Sequence, residues 1–363
     1  MTSAGRSPFV DSGKLIEDIA GQTRLDGLEG VSAGIDHVLE GLVAGGVGVR
    51  EMLDTMSRLN DRLTRKVIEL CQAQMQADGG GPAPAAYCWI NLGSAARREQ
   101  TLRTDQDNAI IYDDALGAGS YFHRLGRRVV DGLVQCGFER CSGGVMASSP
   151  QWCRPLSQWR GCVTQWMRSV DPEDVRCLTI LLDYRCVWGD AGLADALWES
   201  IARSFAESTS AGHLLSSDDR KLSAPLDWRG RVNIERSGPR KGRFNLKTAA
   251  LVHMINAVRL LAVSRGIATP STLDRLDRLV DDGCLDAGDA AAYGAGFETL
   301  MMFRTRENLK RVHAGKPPDN TLDPGLLDRE DSQRLKDALA AVVRLQKRIG
   351  KGFHVPWMNY FGH

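Results

Sequence analysis

The sequence contains no long hydrophobic run. Its 363 residues are 43% hydrophobic, yet no stretch approaches the ~20 consecutive apolar residues that a membrane-spanning helix needs. The first residues, MTSAGRSPFVDSGK, also lack the apolar segment of a secretory signal peptide. These absences predict a protein that is neither inserted in a membrane nor exported, and the cytoplasm is the expected location.

Neither sign of charge is in excess. Forty-six Lys and Arg stand against 45 Asp and Glu, for a formal net charge of +1. This balance gives no indication of a nucleic-acid or anionic-membrane partner. The strongest local excess is in 227–247, with seven Lys or Arg against two acidic residues. Because aromatic residues are few there, we interpret its basic part, 229–247, as a mobile, solvated loop rather than a nucleic-acid-binding element.

Cysteine pairs at metal-binding or redox spacing are absent. Nine cysteines occur without a CxxC motif, and most stand singly in apolar surroundings such as AAYCWI. An odd number of cysteines in a chain of this length does not suggest a disulfide framework, and the missing spacing argues against structural zinc. We therefore expect reduced cysteines that mostly belong to the core.

Breaks in the hydrophobic pattern divide the chain into three regions. Residues 1–80 have apolar positions at helical spacing, and the segment ADGGGPAPAA at 77–86 ends this helical region because glycine and proline interrupt helices. Residues 81–215 alternate between strand-like and helix-like segments, which predicts a mixed α/β unit. Residues 216–363 contain four amphipathic segments, which predict an antiparallel helical bundle.

Three segments of the middle region predict strands. YCWINL at 87–92 and DNAIIY at 107–112 are short apolar runs, and VRCLTILLDYRCVW at 175–188 predicts an aliphatic strand with an aspartate inside it. Between the first two strands lies LGSAARREQTLRTDQ, in which AARREQTL favours a helix. Polar residues between buried strands lie at the edge of a core, where functional sites are usually built.

Two carboxylates stand two residues apart where the second strand begins. Because strand side chains alternate between the two faces, Asp105 and Asp107 are expected on the same side. Parallel carboxylates repel each other unless a cation lies between them, and Mg²⁺ or Mn²⁺ commonly binds one or two carboxylates together with substrate phosphates. The alternative is a turn or helix cap, since TDQDN is also common turn sequence.

A phosphate-binding turn is predicted just upstream. Gly93 and Ser94 close the first strand and precede a helix-prone segment, so backbone N–H groups of the turn can face an anion while the glycine allows close approach. Asp183 adds a third carboxylate in an aliphatic segment, where a charge is costly to bury without a partner. With it a two-metal site for substitution at phosphorus becomes feasible; the alternative is a salt bridge, with Arg185 as the nearest candidate.

These motifs carry a resemblance. LGSAARREQTLRTDQDNAIIY, SGGVMASSPQW, LLDYRCVWGD and FNLKTAALVHMINAVRLLA are similar to a nucleotidyltransferase family of bacterial signalling proteins. That family is related to the PII uridylyltransferase and, more distantly, to the polymerase beta superfamily. The likeness begins near residue 60 and continues into the last helices.

The resemblance implies an α+β fold: a polymerase beta-like nucleotidyltransferase core with a small mixed sheet, N-terminal helices, and a C-terminal helical domain that binds substrate. Within it, Asp105, Asp107 and Asp183 match the metal carboxylates, and Gly93 with Ser94 matches the triphosphate turn. Relatives often have a glycine where this chain has Ala96, which predicts a turn built differently. Such proteins often carry a cyclic-nucleotide-binding or CBS module; this chain has no room for one, so we expect regulatory input from its own N-terminal helices or from a partner.

Further residues are weaker candidates for nucleotide contacts. Arg97 suits bidentate contact with phosphate oxygens, with a solvated helix face as the alternative. Lys247, at the start of an apolar helix, is placed to reach the triphosphate from the C-terminal domain, although an ordinary helix-terminal lysine explains it equally well. The small-residue segment SGGVMASS at 142–149 is a candidate contact for the base or ribose.

The sequence therefore predicts a metal-dependent nucleotidyltransferase. It would transfer a nucleoside monophosphate from a triphosphate to a hydroxyl of a protein or small-molecule acceptor and release pyrophosphate, with Mg²⁺ or Mn²⁺ as cofactor. The competing hypothesis is a non-catalytic nucleotide sensor on the same fold. A regulatory partner or a homo-oligomer is compatible with either hypothesis.

Overall fold

The structure is a computed structural model that describes residues 8–208, 226 and 230–352. The chain folds into two compact units. The first contains Met1–Trp166 and Cys177–Ser204, and the second contains Met167–Arg176 and Phe205–His363. The domain boundary predicted between residues 215 and 216 lies outside the described residues, so it stays a prediction.

Three helices form the N-terminal part of the first unit: α1 (Pro8–Gly21), α2 (Leu25–Ala44) and α3 (Val49–Met75). Gly45 ends α2, and Gly46 after it has a left-handed φ of 66°. The buried side of α3 contains apolar residues at helical spacing, among them Leu59, Leu63 and Val67. A π-helical turn and the glycine- and proline-rich segment follow α3 and connect it to the first strand of the sheet.

A four-stranded sheet forms the centre of the first unit. Its strands are β1 (Tyr87–Leu92), β3 (Asn108–Tyr112), β5 (Cys153–Pro155) and β6 (Tyr184–Gly189). They lie in the order β5-β3-β1-β6; β1 is antiparallel to β3 and β6, and β3 is parallel to β5. Every residue of β1 and β3 is buried, so the polar residues that follow them lie at the edge of an apolar core.

Shorter elements and helices accompany this sheet along the chain. They are α4 (Gly93–Ala96), β2 (Asp105–Gln106), α5 (Gly119–Gln135), β4 (Glu139–Arg140), α6 (Leu156–Trp166), α7 (Pro172–Leu181) and α8 (Ala191–Glu207). Strands β2 and β4 pair in parallel. Helix α5 packs on β3 and β5, and α3 packs on β6.

The second unit is helical. Among the described residues, the α-helices that lie wholly within it are α9 (Val252–Ser264), α10 (Thr272–Asp281), α11 (Ala287–His313) and α12 (Arg329–Gly352). Side chains of Ser271 and Asp286 cap α10 and α11 by accepting backbone N–H groups. These helices pack against one another, and β7 (Phe244–Asn245) pairs with β8 (Thr321–Leu322). The α+β fold with a small sheet and flanking helices is confirmed.

Two local predictions are wrong. Residues 175–181, predicted as the first part of a strand, belong to helix α7, because Pro172 starts the helix and Asp171 Oδ1 accepts the N–H of Glu173 (2.8 Å). Asp183 consequently lies in the turn between α7 and β6 and not within a strand. The helix predicted after Gly93 is only one turn long, because Arg98 adopts a left-handed φ of 58° and ends it.

Two further observations concern membrane spans and cysteines in the described part of the chain. None of its helices combines the length and the apolar composition needed to cross a bilayer. All nine cysteines are free thiols, and six of them are buried: Cys71, Cys88, Cys136, Cys153, Cys162 and Cys177. In the basic segment, residues 230–241 are exposed except for the half-buried Val232, and Phe244–Asn245 form β7. Residues 227–229 lie outside the described residues.

Candidate active site

Gly93 opens the turn that follows β1. Its φ is 55°, a left-handed value that favours glycine, and its N–H donates to the backbone carbonyl of Asp183 over 3.0 Å. A Cβ at this position would lie 3.1 Å from Oδ2 of Asp107. The absence of a side chain therefore allows the turn to approach a predicted metal carboxylate closely.

Backbone N–H groups of the turn are available to an anion by their position. Ser94 and Ala95 belong to the first turn of α4, where N–H groups have no acceptor within the helix. Ala96 lies inside the same turn of helix, so it does not need the positive φ that a glycine would supply. Because α4 has four residues, its helix dipole is small, and an anion bound at this turn would interact mainly with the local N–H groups.

Asp105 and Asp107 converge as their spacing predicts. A carboxylate oxygen of each and the Sγ of Cys141 lie within 4.8 Å of one another. Asp105 is exposed, and Asp107 and Cys141 are half-buried. The backbone fixes this arrangement: the carbonyl of Asp107 accepts the N–H of Leu92 (2.9 Å), while β2 pairs with β4 immediately before Cys141.

The donor set fits a hard divalent cation. Burial raises the pKa of the Cys141 thiol, and its hydrogen bond with Asp107 raises the pKa further. Hard ions such as Mg²⁺ and Mn²⁺ prefer oxygen ligands to sulfur. The carboxylates of Asp105 and Asp107 offer such oxygens and would be the ligands in a site of this kind.

Asp183, the third predicted metal carboxylate, is fully buried. It accepts a hydrogen bond of 2.7 Å from Nη1 of Arg97. Arg97 also donates from Nε to Glu99 Oε2 (2.5 Å), which makes a buried cluster of one cation and two carboxylates. The structure thus brings Asp105 and Asp107 together. Among the described residues, the carboxylate of Asp183 is not part of the cluster whose ligand atoms lie within 4.8 Å of one another.

Glu99 and Asp183 stabilise the positive charge of Arg97. Burial lowers the pKa of the guanidinium, but the attraction of Glu99 and Asp183 and their hydrogen bonds outweigh it, so the pKa lies above its ordinary value. With two of its nitrogens engaged in this cluster, Arg97 positions Asp183 against the turn. Its predicted contact with nucleotide phosphate stays a prediction.

Asp183 forms its salt bridge with Arg97 and not with Arg185, the candidate considered from the sequence. Arg185 binds both carboxylate oxygens of Asp61 on α3, at 2.7 and 2.9 Å. Neither Asp61 nor the pairing of Arg97 with Asp183 carries a signal in the sequence, because the partners are 124 and 86 residues apart. The proximity of Cys141 to Asp107 could likewise not be predicted, since nothing in the local sequence around Cys141 relates it to Asp107.

The loop at 142–149 is hydrogen-bonded to Asn108, the residue that follows Asp107. The N–H of Asn108 donates to the carbonyl of Val145 (3.1 Å), and its Oδ1 accepts the N–H of Ala147 (2.9 Å). The predicted base or ribose contact therefore lies in a loop that is tied to the residue following Asp107.

Lys247 belongs to the second unit. It begins a π-helical turn that leads into α9, and its N–H donates to Oδ1 of Asn245 (3.0 Å). The side chain is exposed. Its predicted contact with a triphosphate stays a prediction.

A glycine turn after the first strand, two carboxylates at the start of the next, and helices around a small mixed sheet define the class of nucleotidyltransferases. Two family models match the chain. The model described as "Putative nucleotidyltransferase DUF294" matches residues 33–173, and "Putative nucleotidyltransferase substrate binding domain" matches residues 212–353. Together they span more than three quarters of the chain, which belongs to this family of nucleotidyltransferases with a C-terminal substrate-binding domain. No curated protein matches the chain.

Substitution of Gly93 by alanine tests the close approach of the turn to Asp107. A non-glycine residue at this left-handed φ costs about 1–2 kcal/mol, and the new Cβ would meet Asp107 Oδ2 at 3.1 Å. We expect G93A to weaken triphosphate binding by about tenfold or more, measured by calorimetry in the presence of Mg²⁺. The matched control is G117A, because Gly117 has a φ of 77° with no atom within 4 Å of the added Cβ. Equal binding losses in both variants would show that general strain, and not the contact, is responsible.

Proposed function

We propose that the protein is a metal-dependent nucleotidyltransferase that transfers a nucleoside monophosphate from a triphosphate to a hydroxyl group. The convergence of Asp105 and Asp107 at a turn where Gly93 leaves no side chain carries this proposal. A phosphate chain held by the N–H groups of the turn would lie next to both carboxylates. The family membership supports the same class of reaction.

The two aspartates would hold Mg²⁺ or Mn²⁺. When bound, such an ion neutralises phosphate charge and polarises the phosphorus under attack. The N–H groups of Ser94 and Ala95 would orient the triphosphate, and Gly93 would keep the turn close to Asp107. Arg97 would hold the Asp183 carboxylate beside the turn, whether or not Asp183 contacts a second ion.

The proposed reaction forms one bond and breaks one bond at the α-phosphorus. The acceptor oxygen bonds to the phosphorus, the bond to the bridging oxygen of the β-phosphate breaks, and pyrophosphate leaves with that electron pair. The proton of the acceptor hydroxyl passes to a carboxylate or to water. The loop at 142–149 would contact the base or ribose, and the C-terminal substrate-binding domain would contact the acceptor or nucleotide, with Lys247 as a candidate phosphate contact.

Transfer of label tests this function. The full-length protein would be incubated with each of the four α-labelled nucleoside triphosphates, Mg²⁺ or Mn²⁺, and cell extract. Metal-dependent appearance of label on a protein or small molecule is the expected result, and no transfer from any of the four would contradict it. The non-catalytic sensor hypothesis predicts instead that nucleotide binds without turnover, and that Asp105→Asn leaves this binding unchanged.

A further inference from the structure

Arg185 connects three parts of the first unit. It is a residue of β6, two positions after Asp183, and it is mostly buried. Its Nε donates to the carbonyl of Ala96 and its Nη2 to the carbonyl of Ala95, both over 3.2 Å. The same guanidinium binds both oxygens of Asp61 on α3.

These contacts satisfy the end of a very short helix. The last carbonyl groups of a helix have no partners within it, and α4 has only four residues. The N–H of Arg98 reaches the carbonyl of Ala95 (3.3 Å), and Arg185 adds a second donor there and supplies one to the carbonyl of Ala96. Arg97, which directly follows the turn, donates in the other direction, to the carboxylate of Asp183 just before β6. Two arginine side chains, one from each segment, therefore connect the turn to the start of β6 by hydrogen bonds.

Asp61 determines the orientation of the Arg185 guanidinium. A carboxylate that binds a guanidinium through two parallel hydrogen bonds fixes its plane as well as its position. One helical turn further along α3, Arg65 donates from Nε to the carbonyl of Val187 (2.8 Å), so α3 holds both a side chain and the backbone of β6. Without Asp61, the guanidinium has other rotamers open to it, and both carbonyls lose the hydrogen bond from Arg185, although the carbonyl of Ala95 keeps the N–H of Arg98 (3.3 Å).

We propose that Asp61 is a positioning residue for nucleotide binding: through Arg185 it holds the turn Gly93–Ala96 against the start of β6. Helix α3 of the N-terminal region is then part of the nucleotide site rather than a separate appendage. The role in nucleotide binding rests on the proposed function, whereas the role in ordering the turn does not.

Hydrogen exchange of the full-length protein without nucleotide tests the ordering. The N–H groups of Arg97 and Glu99 report on the turn, because they donate to the carbonyls of Gly93 (3.0 Å) and Ser94 (2.8 Å). We expect Asp61→Asn to speed their exchange about tenfold or more while the N–H of Leu92 in β1 is unchanged. Equal acceleration at all three sites would mean general destabilisation, and no change would mean that Asp61 does not order the turn; either result overturns the proposal.

Nucleotide kinetics test the consequence for function. We expect D61N to raise the KM for the triphosphate about tenfold with little change in kcat, since the metal carboxylates are untouched, and R185K to show the same direction. The control is D54N on the same helix, because Asp54 meets Arg98 only at 3.9 Å with about half of each side chain exposed. An unchanged KM in D61N contradicts the proposal. If the wild-type protein transfers no nucleotide, the exchange result still decides whether Asp61 orders the turn.

Discussion

Asp107→Asn is expected to abolish nucleotidyl transfer while the protein remains folded. The substitution removes one negative charge from the pair that would hold the metal ion, and it keeps the size of the side chain next to Gly93. Loss of metal-assisted stabilisation is worth several kcal/mol, so we expect transfer to fall by about two to four orders of magnitude. The rate of pyrophosphate release measures this loss.

Asp113→Asn is the matched control for this variant. Asp113 is an exposed aspartate directly after β3, so the same chemical change there lies outside the proposed metal site. We expect its transfer rate to stay within about twofold of the wild-type rate. Binding of Mn²⁺, followed by electron paramagnetic resonance, should weaken in D107N and not in D113N. Full activity in D107N would eliminate the aspartate pair as the metal site.

Arg97→Ala is expected to destabilise the first unit strongly. It leaves two carboxylates without their shared cation, and the side chains of Asp183 and Glu99 are only 1% and 4% exposed. Removing one partner of a buried ion pair typically costs about 3–5 kcal/mol, because the remaining charge stays buried and uncompensated. Urea unfolding followed by tryptophan fluorescence measures this change, since six of the eight tryptophans lie in the first unit.

The neighbouring arginine provides the control. Arg98 is half exposed, and its nearest carboxylate, on Asp54, is 3.9 Å away. Exposed pairs of this kind contribute roughly 0–1 kcal/mol, so R98A should change stability little. A double variant that also replaces Asp183 by Asn should recover part of the loss in R97A, because one of the two buried charges is then gone. Equal stability of R97A and R98A would contradict the buried cluster.

Local sequence was sufficient for the elements whose signals are local. The apolar run at β1, the glycine turn that follows it and the i, i+2 aspartates each carry their own pattern. The two carboxylates converge, although Asp105 lies in β2 and Asp107 directly precedes β3, so they do not share one strand. The family resemblance rests on these same segments. The four helices of the second unit follow from amphipathic periodicity and from their polar or glycine breaks.

Other features of the site depend on contacts that no local pattern encodes. The segment 175–181 contains a short aliphatic run, for which periodicity does not separate a buried strand from a helix; in the structure it continues a helix that starts at Pro172 and is capped by Asp171. The polar segment after Gly93 favours a longer helix than α4 because Arg98 gives no sequence signal for its positive φ. The partners of Arg97 and Arg185 come from distant elements, so only the fold reveals that Asp183 is held by a buried arginine.

Parallel reactions with α-labelled and γ-labelled triphosphate test the central claim most directly. Nucleotidyl transfer requires the acceptor to receive label from the α-phosphate only, with the γ-phosphate recovered in pyrophosphate, in wild-type protein and not in D107N. Label on the acceptor from the γ-phosphate, or release of inorganic phosphate in place of pyrophosphate, would show a different reaction and contradict the assignment of this site.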